Sequence, residues 1–326
     1  MAQMVNSYGI IDHSCGRNDH FYGTDNLFCG TSDHFYGTND HWNATTPYAA
    51  AVGDFNQDNH TDVVVTNCGS WNVAVFLRYG NGPLASGMFF ATSACPVAAL
   101  IGDFNQDNRL DIAVANKNSN NIGILLDLGN GSFASQNIFS VDSTPFTIAT
   151  GDFNQDGRFD LVTANSGSNS VSVLLGYGNG SFATQMSMAI GASPYSVVVS
   201  DFNHDNLLDL AVTTTSASSV NVFLGQGNGS FIMHSTTSTN IDPYVSAVAD
   251  FNGDNLLDIV IPHYTTTAVS VFCDLGNATF GHLLSLSGAS APGIVAVGDF
   301  NQDNRTDIAV INYSSSTLGI YLNTYQ

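Results

Sequence analysis

Glutamate is absent from this chain. All 27 acidic residues are aspartate, and only six basic residues oppose them, leaving a formal charge of −21. Glutamate is a good helix former, whereas aspartate favours turns, caps and metal loops. So few cations exclude nucleic acid as a partner, because phosphate binding needs clustered lysine and arginine. Charged residues are only 10% of the 326, well below the usual share of about a quarter. No apolar run approaches membrane-spanning length, so no membrane insertion is expected. The start, MAQMVNSYGIIDHSCG, has no basic segment followed by an apolar one, so no signal peptide is visible. Cysteine is sparse: Cys15, Cys29, Cys68, Cys95 and Cys273. Their number is odd, their spacing matches no zinc or redox motif, and no disulfide framework is expected.

What is present is a repeat. The segment GDFNQDN, or a close variant, places its first Asp at 54, 103, 152, 201, 250 and 299, an interval of 49 residues each time. Internal repetition of this length means a propeller or a solenoid. In the copy spanning 145–187, Pro145–Phe153, Asp160–Asn165, Val171–Gly176 and Ser181–Ser187 read as strands. YGNG before the last is a hairpin turn. Four short strands per repeat predict an all-β, six-bladed or seven-bladed β-propeller of four-stranded antiparallel blades. The first strand is the smallest and blandest, which suits the innermost place beside a crowded axis.

The sixth copy stops after its third strand, LGIYLN at 318–323. Phe35 precedes Pro47 by the interval that separates Phe133 from Pro145, so residues 32–42 stand in fourth-strand register. The propeller is therefore expected to cover 31–326, with an N-terminal strand closing the last blade and removing its open edge. Residues 1–30 are expected to be a poorly ordered tail, and a seven-residue microrepeat runs through the first 46 residues. His13, His20, His34 and His41 recur in it after Asp. Asp-His clusters bind zinc or nickel, but a slipped tandem repeat explains these four better.

Each copy carries a loop of the form D-x-N-x-D-x-x-x-D. Positions 1, 3, 5, 7 and 9 are Asp54, Asn56, Asp58, His60 and Asp62; Asp103, Asn105, Asp107, Arg109 and Asp111; Asp152, Asn154, Asp156, Arg158 and Asp160. The later copies give Asp201, Asn203, Asp205, Leu207 and Asp209; Asp250, Asn252, Asp254, Leu256 and Asp258; Asp299, Asn301, Asp303, Arg305 and Asp307. Calcium takes six to eight hard oxygen ligands in flexible geometry. Side chains at 1, 3, 5 and 9 with the backbone carbonyl at 7 supply such a set. Asx-turns, in which a carboxylate caps a β-turn, account for one Asp and one Asn. They leave three neighbouring, mutually repelling carboxylates unexplained in every copy. Up to six Ca²⁺ ions are expected, which would bring the charge from −21 to −9. Position 6 is Gly157 in one copy and Asn in the others, residues that tolerate a left-handed turn. Position 2 is always Phe and is expected to pack between blades.

The segment VAVGDFNQDNRTDIAVIN (295–312) resembles the FG-GAP/VCBS repeat family, found in the integrin α-chain propeller and in many secreted repeat proteins. The resemblance covers residues 31–326. It implies a propeller with calcium between the first and second strands of each blade, and carries the ligand role to the loop positions above. Strict FG and GAP segments are absent, and integrin propellers have seven blades.

No catalytic constellation is visible: there is no G-x-S-x-G elbow, no Gly-rich phosphate loop, and outside the loops and tail only Asp127, Asp142, Asp242 and Asp274. N-x-S/T occurs at Asn43, Asn130, Asn179, Asn228 and Asn277, where a hairpin turn competes with glycosylation as the reason. Strand parity puts the Asp loops and the third–fourth turns on one face. The second–third loops occupy the other, and they differ from copy to copy. Variable loops on a repeated scaffold are where binding usually lives. The expectation is a monomeric, non-enzymatic scaffold, secreted or at the cell surface, that binds extracellular protein or carbohydrate. The alternatives are a propeller lectin, with Trp71, Tyr264 and Tyr313 stacking sugars, and a carbohydrate-active enzyme. A secreted protein is then expected to carry a leader that this chain does not display.

Overall fold

The computed structural model describes residues 46–80 and 82–324 together with the short strands Ile10–Ile11 and Phe21–Tyr22. Among the described residues there is no helix. Six antiparallel sheets follow one another as blades, in sequence order from strand to strand. Blade three is typical: Pro145–Gly151, Asp160–Asn165, Ser170–Leu174 and Met186–Ala189. The first strands of the other blades are Pro47–Gly53, Pro96–Gly102, Pro194–Ser200, Ala247–Ala249 and Pro292–Gly298.

The first strands lie innermost, as their small residues require. Neighbouring ones touch across the axis region: Val197 N–H donates to Thr147 Oγ1 at 3.1 Å, Ser196 and Ser246 hydroxyls meet at 3.1 Å, and Val245 bridges Ile294 in parallel. Second strands such as Asp160–Asn165 are buried along their whole length. Both faces of each blade are covered by neighbours, so the apolar pattern is continuous rather than alternating. The outermost strand, as in Met186–Ala189, is mostly exposed.

The position 2 phenylalanines lock the blades together. Phe55, Phe104, Phe153 and Phe202 are buried and meet Phe133, Phe182, Phe231 and Phe280 of the following blade, edge to face, at 5.4–6.0 Å. Burying each ring contributes about 1.5–3 kcal/mol, and the edge-to-face contact adds roughly 0.5–1.5.

Two expectations need correction. The fourth strand starts at Met186 rather than Ser181, because Phe182 first turns inward to its aromatic partner and makes only an isolated bridge to Gly176. In blades four and five the strand does begin at the Phe, running Phe231–Ser238 and Phe280–Ser287. Second, Cys68 and Cys95 form a disulfide. It joins the second–third loop of blade one to the residue before blade two. The partners come from two different non-repeated substitutions, so periodicity in cysteine could not reveal them. Cys273 is a free thiol.

Among the described residues, blade six has three strands, and its third, Thr317–Tyr321, pairs on one side with Asp307–Asn312. The expected closing strand at 32–42, the tail histidines, Asn43, Cys15 and Cys29 lie outside the described residues.

Candidate functional site

The Asp loops connect first to second strands, and their hydrogen bonds recur around the ring, except that in blade five the Gly253 N–H takes the place of the position 5 N–H on the position 1 carboxylate. In blade one, Asp54 accepts the N–H groups of Asp58 at 3.0 Å and Asn59 at 2.8 Å. Asn56 donates its amide to Asp58 Oδ2 at 2.9 Å, and Asp58 Oδ1 accepts the His60 N–H at 2.9 Å. The position 9 carboxylate is fully buried in all six blades: Asp62, Asp111, Asp160, Asp209, Asp258 and Asp307. One oxygen accepts the position 2 N–H, as from Phe55 at 2.8 Å. The other accepts an N–H beyond the third strand, as from Arg78 at 2.7 Å. Each such Asp therefore staples the loop to the third-strand end of its own blade.

The backbone bends left-handed at two places per loop. Position 6 does so as expected, at φ 63–79°. Position 4 does so too, with Gln57, Gln106, Gln155, His204 and Gln302 at φ 58–63° and Gly253 at 78°. Side-chain bulk at position 4 concealed this requirement; the single glycine copy, Gly253, was the available signal. The glutamines also link blades. Gln57, Gln106 and Gln155 donate to the position 6 carbonyl of the next loop at 2.9–3.3 Å.

Electrostatics set the loops apart from one another. Burial, reinforced by the like charges at positions 1 and 5, raises the Asp111, Asp160 and Asp258 carboxyls to about 6 and pushes Asp62 and Asp209 upward. Arg109, Arg158 and Arg305 at position 7 pair with the position 5 carboxylates Asp107, Asp156 and Asp303 of their own loops. Leu207 and Leu256 take that place in blades four and five and supply no counter-charge. Among the described residues, no group of three or more His, Cys, Asp or Glu side chains is drawn together as a metal cluster.

The donor set nonetheless suits a hard cation. At positions 1, 3, 5 and 9 every loop presents side-chain oxygens, three of them from carboxylates. Behind the loops of blades two and five, Asp127 Oδ2 and Asp274 Oδ2 are buried without a hydrogen-bond partner, the former with Arg109 Nε 3.8 Å away. The charges of Asp107 and Asp254 bear on these two residues. Were calcium bound, positions 1, 3, 5 and 9 with the position 7 carbonyl would hold it, and the ion would neutralise their mutual repulsion.

The opposite face carries the aromatic candidates. Tyr264 and Tyr313 come together at 5.7 Å, and Tyr264 stacks on Tyr244 at 5.3 Å. Trp71, 57% exposed, stands elsewhere on that face, its carbonyl accepting the Thr92 N–H at the end of the outer strand. Sequence reasoning missed an inner ring formed by the residues after each strand-opening proline: Tyr48, Val97, Phe146, Tyr195, Tyr244 and Gly293. The four aromatic members join at 4.5–5.9 Å. Gly293 is required because a Cβ there would lie 1.9 Å from the Tyr313 ring. The signal was the Pro–aromatic pair at the repeat interval. Four sequon asparagines, Asn130, Asn179, Asn228 and Asn277, accept hydrogen bonds from their own Ser or Thr, serving the hairpin turn.

A family model of the FG-GAP-like repeat matches residues 54–114, 103–163, 152–212 and 201–261 in overlapping tandem. No curated protein matches the chain. Among solved structures, the chain is similar to an Agrocybe aegerita lectin specific for non-reducing terminal N-acetylglucosamine, with 15% identity, TM-score 0.64, and 98% and 91% of the two chains covered. It is similar to the Pseudomonas aeruginosa periplasmic gluconolactonase at 14% identity, TM-score 0.62, covering 98% and 95%. It is also similar to BBS1N, solved in complex with ARL6, at 14% identity, TM-score 0.62, covering 86% and 80%. At these identities the likeness is one of fold, and this fold hosts a lectin, an enzyme and a protein-binding module.

Proposed function

Because the chain belongs to the FG-GAP-like repeat family, we propose that it is a calcium-stabilised extracellular binding scaffold. It is not an enzyme, and it engages protein or carbohydrate ligands on the face opposite the Asp loops. The observation that carries this reading is the division of labour between faces. The Asp loops repeat the same buried position 9 staple in all six blades and, apart from one contact in blade five, the same hydrogen bonds within the loop. The opposite face changes in every blade and gathers exposed or half-buried aromatic rings, with Tyr264 41% exposed. A regular face suits structural metal, and an irregular one suits recognition.

The Cys68–Cys95 disulfide supports an oxidising location. Three-Asp loops resemble those of extracellular modules, whose calcium affinities lie near ~10⁻⁴–10⁻³ M. A lectin is the second reading, favoured by the stacked Tyr244–Tyr264 pair, since aromatic faces receive the C–H faces of sugars. The test is a screen of immobilised glycans and extracellular proteins with the calcium-loaded chain. Binding should survive substitutions at loop turns such as Tyr79 and Leu128, and fall with substitutions on the opposite face. Ligand capture that depends only on the loop face would overturn the assignment.

A further inference from the structure

Lys117 is the only lysine of the chain. It stands at the register position occupied by Tyr264 and Tyr313 in blades five and six. Its ammonium lies over the Phe146 ring of the next blade, 5.5 Å from the centroid. All four ion pairs among the described residues use arginine. In a chain with 27 carboxylates, the one lysine therefore pairs with none of those described. Its backbone N–H is bonded to Cys95 O, which fixes where the side chain starts.

From Phe146 the aromatic surface continues through Tyr244, at 5.7 Å, to Tyr264 at a further 5.3 Å. Phe146 and Tyr244 also line a recess that they share with Val97, Ala98 and Ile294. A simple plug needs apolar rings and no charge. This one carries phenol hydroxyls, an exposed ring face at Tyr264, and a single cation with unclaimed donors. A stacked aromatic face combined with one ammonium selects a ligand with flat C–H faces, many hydroxyls and a negative charge.

The geometry points to an axial binding site for an acidic oligosaccharide. The Tyr264 ring receives one pyranose and the Lys117 ammonium receives a carboxylate on another. Lys117 and Tyr264 are separated by at most one ammonium-to-ring step and two ring-to-ring steps, a span that two or three sugar units cover. The site rests on the scaffold reading above and gives it a ligand class.

The test is isothermal titration of the full chain, in calcium, with trigalacturonate, its methyl ester and maltotriose. Trigalacturonate should bind, and the two neutral trisaccharides should bind at least tenfold more weakly. Lys117→Met keeps the stem over Phe146 and removes the charge. It should weaken trigalacturonate at least tenfold while leaving the melting temperature unchanged. Tyr264→Ala should weaken it similarly, and Trp71→Ala should not. Equal binding of the methyl ester, undiminished binding by Lys117→Met, or loss of binding in Trp71→Ala would each overturn the axial site. If trigalacturonate fails while another glycan or a protein binds this face, the axial site falls and the scaffold reading stands.

Discussion

Substituting His263 by Asn should remove a defined part of the protein's acid sensitivity. His263 closes the second strand of blade five, where Asn67, Asn116, Asn165 and Asn312 stand in other blades. It is completely buried, with Nε2 2.9 Å from Ser270 Oγ. Burial pushes its pKa down from 6.5 to about 4, with His282 acting in the same direction and Asp242 against it. The native state thus holds the imidazole neutral, while the unfolded chain protonates near 6.5. Stability is fully present above the unfolded value and falls as pH drops from about 6.5 towards 4. The complete loss is about 3 kcal/mol, of which about 2 is gone by pH 5. The loop carboxylates raised to about 6 act oppositely, since the native state binds their protons more tightly. Only the difference between wild type and His263→Asn isolates the histidine. Urea unfolding of both proteins at pH 7.5, 6 and 5, in the same calcium buffer, measures it. The variant should gain about 2 kcal/mol relative to wild type between pH 7.5 and 5. A difference that does not change with pH would refute the buried, neutral histidine.

Phe153→Ala should cost about 3–5 kcal/mol by emptying the seam between blades three and four, read as a fall in urea midpoint. Replacing Cys68 and Cys95 by Ser opens a 27-residue loop and should cost about 3.5 kcal/mol on the chain-entropy relation. Thiol labelling confirms the bridge, and a wild-type protein with both thiols labelled under native conditions would contradict it. Loops four and five lack the internal arginine. Asp205→Asn should therefore reduce the calcium-induced rise in melting temperature more than Asp156→Asn does, and the reverse order would sink the charge argument.

The blade count, the strand order and the interblade phenylalanines were legible because each recurs at a constant interval of 49 residues. A repeat lets one copy vouch for another. The loop was legible as chemistry but not as architecture. Nothing in D-x-N-x-D-x-x-x-D announces that its last Asp is fully buried and tied to two backbone N–H groups. That requirement comes from the third-strand end, sixteen residues away. The disulfide stayed hidden for a different reason: it arises where the copies differ, from residues brought side by side only when the chain folds. The axial aromatics recur after the repeated prolines, but their meeting is made only when the ring curves round. Tyr264 and Tyr313 were singled out individually, but their meeting depends on Gly293 yielding space.

Calcium titration in a calorimeter, with melting followed in parallel, decides whether the Asp loops hold metal. Up to six ions per chain should bind, with affinities near ~10⁻⁴–10⁻³ M, and the melting temperature should climb with free calcium by mass action. No heat of binding, together with a melting curve identical in calcium and in EDTA, would contradict the calcium assignment and leave the Asp loops as metal-free turns.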